Sequence, residues 1–141
     1  MKAQAEPGAG LLLALVVSAL ATAAAAGWAG GEEPRTSPTL ARQEAEQNAK
    51  TPAGKRYEGM LVSRVEEWLR SALVRCTEKA PPEELISFDA FVRVGAGGRA
   101  EEALFAPETA VARCVAPEFR SAKYPSPPQP SWWAKIEVRL K

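Results

Sequence analysis

The stretch FDAFVRVGAGGRAEEALF, residues 88–105, decides the fold. Phe88, Ala90, Val92 and Val94 alternate with Asp89, Phe91 and Arg93, the period of a strand with one buried face. The run stops at Gly95-Ala96-Gly97-Gly98, where glycine permits the positive φ of a tight reversal. Arg99 to Phe105 then returns as the second arm of a hairpin.

The flanking sequence supplies what this hairpin packs against. Downstream, Pro107 and Glu108 precede Thr109, a residue suited to capping a helix, and Ala110, Val111, Cys114, Val115, Phe119 and Ala122 mark an amphipathic helix. Pro117 falls inside it and predicts a kink or a break. Beyond the loop YPSPPQP, Trp132, Ala134, Ile136, Val138 and Leu140 interleave with Trp133, Lys135, Glu137 and Arg139, a strand with one buried and one wet face. Upstream, Tyr57, Leu61, Val65, Trp68, Leu69, Ala72, Leu73 and Cys76 recur at helical spacing, with Arg64, Glu66, Glu67, Arg70 and Arg75 mostly on other faces, and Pro81 and Pro82 end the run. The order helix, strand, strand, helix, strand predicts an α+β fold, two helices packed on one face of a three-stranded antiparallel sheet.

The amino-terminal text gives an address. No residue from Pro7 to Gly31 is charged, Leu11 to Leu20 is rich in Leu, Val and Ala, and Ala21 to Ala26 offers several Ala-x-Ala cleavage sites, so residues 1–26 read as a signal peptide. An uncleaved anchor over residues 8–31 is the alternative, since about 20 apolar residues span a bilayer, although alanine and glycine insert less well than leucine. The protein is thus expected in the periplasm or outside the cell, without a membrane span after cleavage; the alternative is anchorage to the inner membrane. Residues 27–54 carry Pro34, Pro38 and Pro52 and almost no large apolar residue, the composition of a flexible linker in which Thr39 to Lys50 forms at most a frayed, solvated helix. Residues 55–141 make one small domain, of a size at which a core alone is marginal and a covalent staple helps.

Within that domain, Phe91-Val92-Arg93-Val94 followed by Gly95-Ala96-Gly97-Gly98-Arg99 resembles the strand, turn and return strand of the TonB C-terminal domain group. Val111-Ala112-Arg113-Cys114-Val115 is similar to the helix with a single cysteine in the shorter, cysteine-containing branch linked with gliding-motility and cell-envelope proteins. Tyr124-Pro125 and Pro127-Pro128 resemble the proline-rich exit before the last strand, here Trp132 to Leu140. The resemblance covers about Val74 to Lys141 and implies a bacterial envelope module that binds a partner protein or peptide. It does not extend to energy transduction: TonB proteins that couple to a motor usually do so through a membrane histidine, and this chain has no histidine.

The remaining chemistry is narrow. Cys76 and Cys114 either stand as reduced, buried small hydrophobes or join the two helices, and an even count of two in an exported chain favours the disulfide. Closing that loop contributes about 3 to 4 kcal/mol in the chain-entropy model. Without CxxC spacing or histidine, redox and metal roles fall away, as do Ser-His and Cys-His nucleophile systems. The adjacent pairs Glu32-Glu33, Glu66-Glu67, Glu83-Glu84 and Glu101-Glu102 point in different directions, the sole aspartate, Asp89, sits in a strand, and Gly95 to Gly98 lacks the lysine and following helix of a phosphate loop. No catalytic residue and no cofactor is expected. A net charge of +1 is close to balance, which argues against a nucleic-acid or anionic-membrane partner, since both usually show a basic face.

What remains is the last strand. Trp133, Lys135, Glu137 and Arg139 on its open face are the candidate partner-binding residues, at an edge where an extended segment of an envelope protein or peptide can add as a further strand. The same charges also serve to blunt edge-to-edge aggregation. Trp133, an aromatic among charges, reads either as an interface anchor or as a ring folded over the proline loop. The alternative function is a small secreted protein whose groove between helix and sheet binds a small ligand or inhibits an enzyme.

Overall fold

A computed structural model describes residues 36–140, and these build three helices around one sheet. Helix α1 spans Pro38–Lys50, α2 Pro52–Lys79 and α3 Ala110–Ser121; strands β1, β2 and β3 are Phe88–Val94, Ala100–Ala106 and Trp132–Val138. The sheet is antiparallel with the order β2-β1-β3, so the first strand lies in the middle. The signal peptide expected at 1–26 and the alternative anchor over 8–31 lie outside the described residues. Among the described residues, no helix is long and apolar enough to cross a membrane.

The main core forms between the sheet and the two predicted helices. Tyr57, Leu61, Val65, Leu69, Ala72 and Cys76 form one buried stripe on α2, at the expected helical spacing. They meet the even-numbered face of β1 (Phe88, Ala90, Val92, Val94) together with Val111, Val115 and Phe119 of α3. A chain of edge-to-face rings runs through this layer, Trp68 to Phe119 at 5.0 Å, Phe119 to Phe105 at 5.4 Å and Phe105 to Phe88 at 6.1 Å. Thr109 caps α3, its hydroxyl accepting from the Ala112 N–H at 3.1 Å. The break expected at Pro117 does not occur: α3 continues to Ser121 and ends where Ala122 turns extended. Its seating is fixed by burial of Val111, Ala112, Val115, Ala116 and Phe119, and by the Tyr124 hydroxyl, which donates to the Phe119 carbonyl at 2.6 Å. Burial raises the Tyr57 hydroxyl to about 12 and Tyr124 higher still, where the nearby Tyr57 adds to the effect of burial, so both stay neutral donors. Tyr57 spends its proton on the Pro125 carbonyl at 2.9 Å, which ties the proline loop to α2.

Two expectations need correction. The stretch read as a flexible linker, 27–54, contains α1 and the start of α2: the helix expected over Thr39 to Lys50 is present but packed rather than frayed, so among the described residues the unit that holds the sheet includes 36–54 as well as 55–140. The helices also do not all lie on one face: α1 covers the opposite face of the sheet, where Ala41 and Ala45 pack on Phe91 and Trp133. The physical reason is the odd-numbered side of the sheet. Phe91 lies directly opposite Leu104, and Trp133 sits beside it across from Arg93, so the supposedly wet face carries an apolar patch that needs cover. Alanines suit the helix that supplies it, because small side chains let a backbone approach two large rings.

The corner between α1 and α2 is a single residue. Thr51 ends the first helix and caps the second, its hydroxyl donating to the Asn48 carbonyl at 2.9 Å and accepting from the Gly54 N–H at 2.9 Å. Pro38 and Pro52 each open a helix, where a missing N–H costs nothing. The turn is tight enough that a Cβ on Gly54 would lie 1.8 Å from the Asn48 carbonyl oxygen. Gly98 is similarly constrained, with φ at +82° and the Tyr124 carbonyl oxygen 2.2 Å from where a Cβ would stand.

The two cysteines are joined, Cys76 of α2 to Cys114 of α3, across a sequence separation of 38. Two predictions follow from these constraints. Gly54→Ala, which at an ordinary helical site gains about 1 kcal/mol, should here lose about 2 kcal/mol in urea denaturation because the α1–α2 corner must open. Reduction and alkylation of the disulfide should lower stability by about 4 kcal/mol, read as a shift of the same denaturation midpoint.

Candidate functional site

The residues proposed on the last strand divide between cover and edge. Trp133, read as an exposed anchor or a ring over the proline loop, is neither: it is 3% exposed, held under α1 by Ala41 and Ala45, with the Arg93 guanidinium 5.9 Å from its ring. Lys135 pairs with Glu137 at 3.4 Å and reaches Glu46 of α1 at 3.9 Å. Arg139 lies just past β3 and bridges Glu137 at 3.2 Å and Asp89 at 3.6 Å. Asp89 also receives Arg42 of α1 at 3.0 Å, and the same guanidinium lies 4.9 Å from the Phe91 ring. The only aspartate is therefore a tie between α1, β1 and the end of β3, which is a structural rather than a chemical employment.

The backbone of β3 carries the feature that matters. The Gly95 N–H turns toward the Arg99 carbonyl at 2.8 Å, so odd-numbered residues of β1 direct their backbone groups to β2 and even-numbered ones to β3. The register pairs Val94 with Trp132, Val92 with Ala134 and Ala90 with Ile136, which assigns those β3 residues to the ladder. By alternation, the N–H and C=O groups of Trp133, Lys135 and Glu137 point away from the sheet. One of them is capped: the Asn48 amide donates to the Trp133 carbonyl at 3.0 Å, a contact that also fixes the end of α1. The edge beside Lys135 and Glu137 has no strand neighbour among the described residues.

Alongside that edge runs a groove of about 490 Å³ between β3 and α2. Its floor is Val65, Leu69 and Ile136, and Val62, 54% exposed, stands on its wall. Glu58 and Glu66 of α2 rim it on one side, Lys135 and Glu137 on the other. In the sequence Glu66 reads as a solvated position and Val62 and Glu58 carry no assignment, because the helical pattern separates a core stripe from other faces without showing what borders them. Val62 is the legible signal: it lies off the Tyr57-Leu61-Val65 stripe, so a buried role does not explain it.

Comparison with known protein families, curated proteins and solved structures finds no match to this chain. Trp133→Ala should remove the ring on which α1 rests and cost about 3 to 5 kcal/mol. Hydrogen exchange should show the amides of 38–50 losing protection first, while those of β1 keep theirs longer.

Proposed function

We propose that this protein is an exported, non-catalytic interaction module of the bacterial cell envelope, similar in plan to TonB C-terminal domains, which captures an extended partner segment along the free edge of β3. The observation that carries this reading is the coincidence of outward backbone groups at Lys135 and Glu137 with an apolar groove directly beside them. Strand addition uses both at once: main-chain hydrogen bonds supply affinity and alternate side chains entering the groove supply selectivity. The surface differs from the one suggested by sequence, because Trp133 belongs to the interior and α2 contributes a wall.

The disulfide supports the address, since such bonds persist in oxidising compartments. The charges on the edge fit a surface that must stay unpaired until its partner arrives. Lys135, Glu137 and Arg139 are tied to one another or to Asp89 and Glu46, which discourages indiscriminate pairing with other edges.

Proline at an outward-facing position separates folding from binding. Lys135→Pro removes an N–H that the sheet does not use, so the domain should fold with a loss of about 1 kcal/mol while capture of an envelope protein falls at least about tenfold. Ile136→Pro deletes a ladder donor instead and should unfold the sheet. Capture unchanged by Lys135→Pro would place the binding surface elsewhere.

A further inference from the structure

The rim of the groove specifies more than its floor. Glu58 and Glu66 line it without an ion-pair partner among the described residues, whereas Lys135, the one cation lining it, is already engaged by Glu46 and Glu137. The groove thus presents two unpaired carboxylates, Glu58 and Glu66, around an apolar floor, while its other charges, Lys135 and Glu137, compensate each other. Such a site draws positive charge and repels acidic segments.

Spacing sharpens this. Glu58, Val62 and Glu66 are four residues apart in turn and so share one face of α2, at intervals of about 6 Å. Along an added strand, side chains on one face recur every second residue, at intervals of about 7 Å. A strand laid in the groove along α2 would therefore meet carboxylate, apolar side chain and carboxylate with three successive groove-facing residues. The mismatch over the whole span, about 12 Å against about 14 Å, is small beside the reach of a lysine or arginine side chain.

We infer that the partner segment is an extended peptide with the pattern basic, x, aliphatic, x, basic, its two cations meeting Glu58 and Glu66 and its central aliphatic side chain covering Val62. The inference rests on strand addition at β3 and adds the chemistry of what is added. A second copy of this chain is the less favoured occupant. Joined edge to edge, two copies would bring Glu58 and Glu66 of both long helices toward one another across the shared sheet, with no cation on either helix wall of the groove to offset them.

The test uses the disulfide-bonded full chain and two blocked synthetic peptides, Thr-Lys-Thr-Val-Thr-Lys-Thr and its counterpart with both lysines replaced by glutamate, each titrated to millimolar concentration at low salt. Amide chemical shifts of Lys135 and Glu137 report occupancy of the edge. The lysine peptide should bind at least about tenfold more tightly than the glutamate peptide, with the difference shrinking as salt is added. The double variant Glu58→Lys with Glu66→Lys, which changes only exposed side chains, should reverse the order. Equal binding of the two peptides at the edge overturns the charge selection and leaves strand addition standing. Absence of shifts with either peptide overturns both. A doubled mass in sedimentation without peptide, returning to that of one chain in Ile136→Lys, would assign the groove to a second copy and overturn the proposal.

Discussion

Enclosure of β1 on all sides governs this structure. The strand has a neighbour at each edge, and both of its faces are covered: Phe88, Ala90, Val92 and Val94 on one side, Phe91 on the other, are essentially inaccessible. A sheet with apolar residues on both faces needs two layers of cover, so a domain of this size must recruit its amino-terminal segment to complete the sandwich. α1 provides that second layer through two alanines, an arginine tied to Asp89 and an asparagine tied to β3. Once both faces are closed, the outer edge of β3 is where backbone hydrogen-bonding capacity remains open beside an apolar groove.

That arrangement explains why cover and edge trade roles along one strand. Trp133, Lys135 and Glu137 all face the α1 side, yet only Trp133 is buried beneath the helix, while Lys135 is half-buried and Glu137 exposed. Asn48 marks the transition by satisfying the Trp133 carbonyl that would otherwise extend the open edge. The disulfide acts on the other face, joining α2 to α3 and so holding the wall of the groove in place relative to the sheet. A covalent tie of about 4 kcal/mol is a large share of the stability of a domain this small.

Much of this was legible from residues alone. The hairpin at 88–105, the stripe on α2, the Thr109 cap and the alternation in β3 each rest on a local signal strong enough to survive in the folded chain. The second face was not, and the reason is physical: α1 buries alanines rather than large apolar residues, so its sequence looks like that of a solvated segment. The clue lay in the strands, where Phe91, Leu104 and Trp133 occupy the face assigned to water. Pro117 acts in the opposite direction: of the kink or break it signals, the break is absent, because tertiary burial of α3 outweighs the loss of one backbone hydrogen bond. The groove was legible only through Val62, off the core stripe, because its other wall is set by how α2 and β3 come together in the folded chain.

The unpaired edge of β3 can be read residue by residue in amide hydrogen exchange. An open edge requires an alternating pattern, with slow exchange at Ala134 and Ile136, whose N–H groups bond to β1, and fast exchange at Lys135 and Glu137, whose N–H groups face outward. Uniform protection across 134–137 would mean that the edge is already occupied and that β3 has no free side on which a partner strand can add.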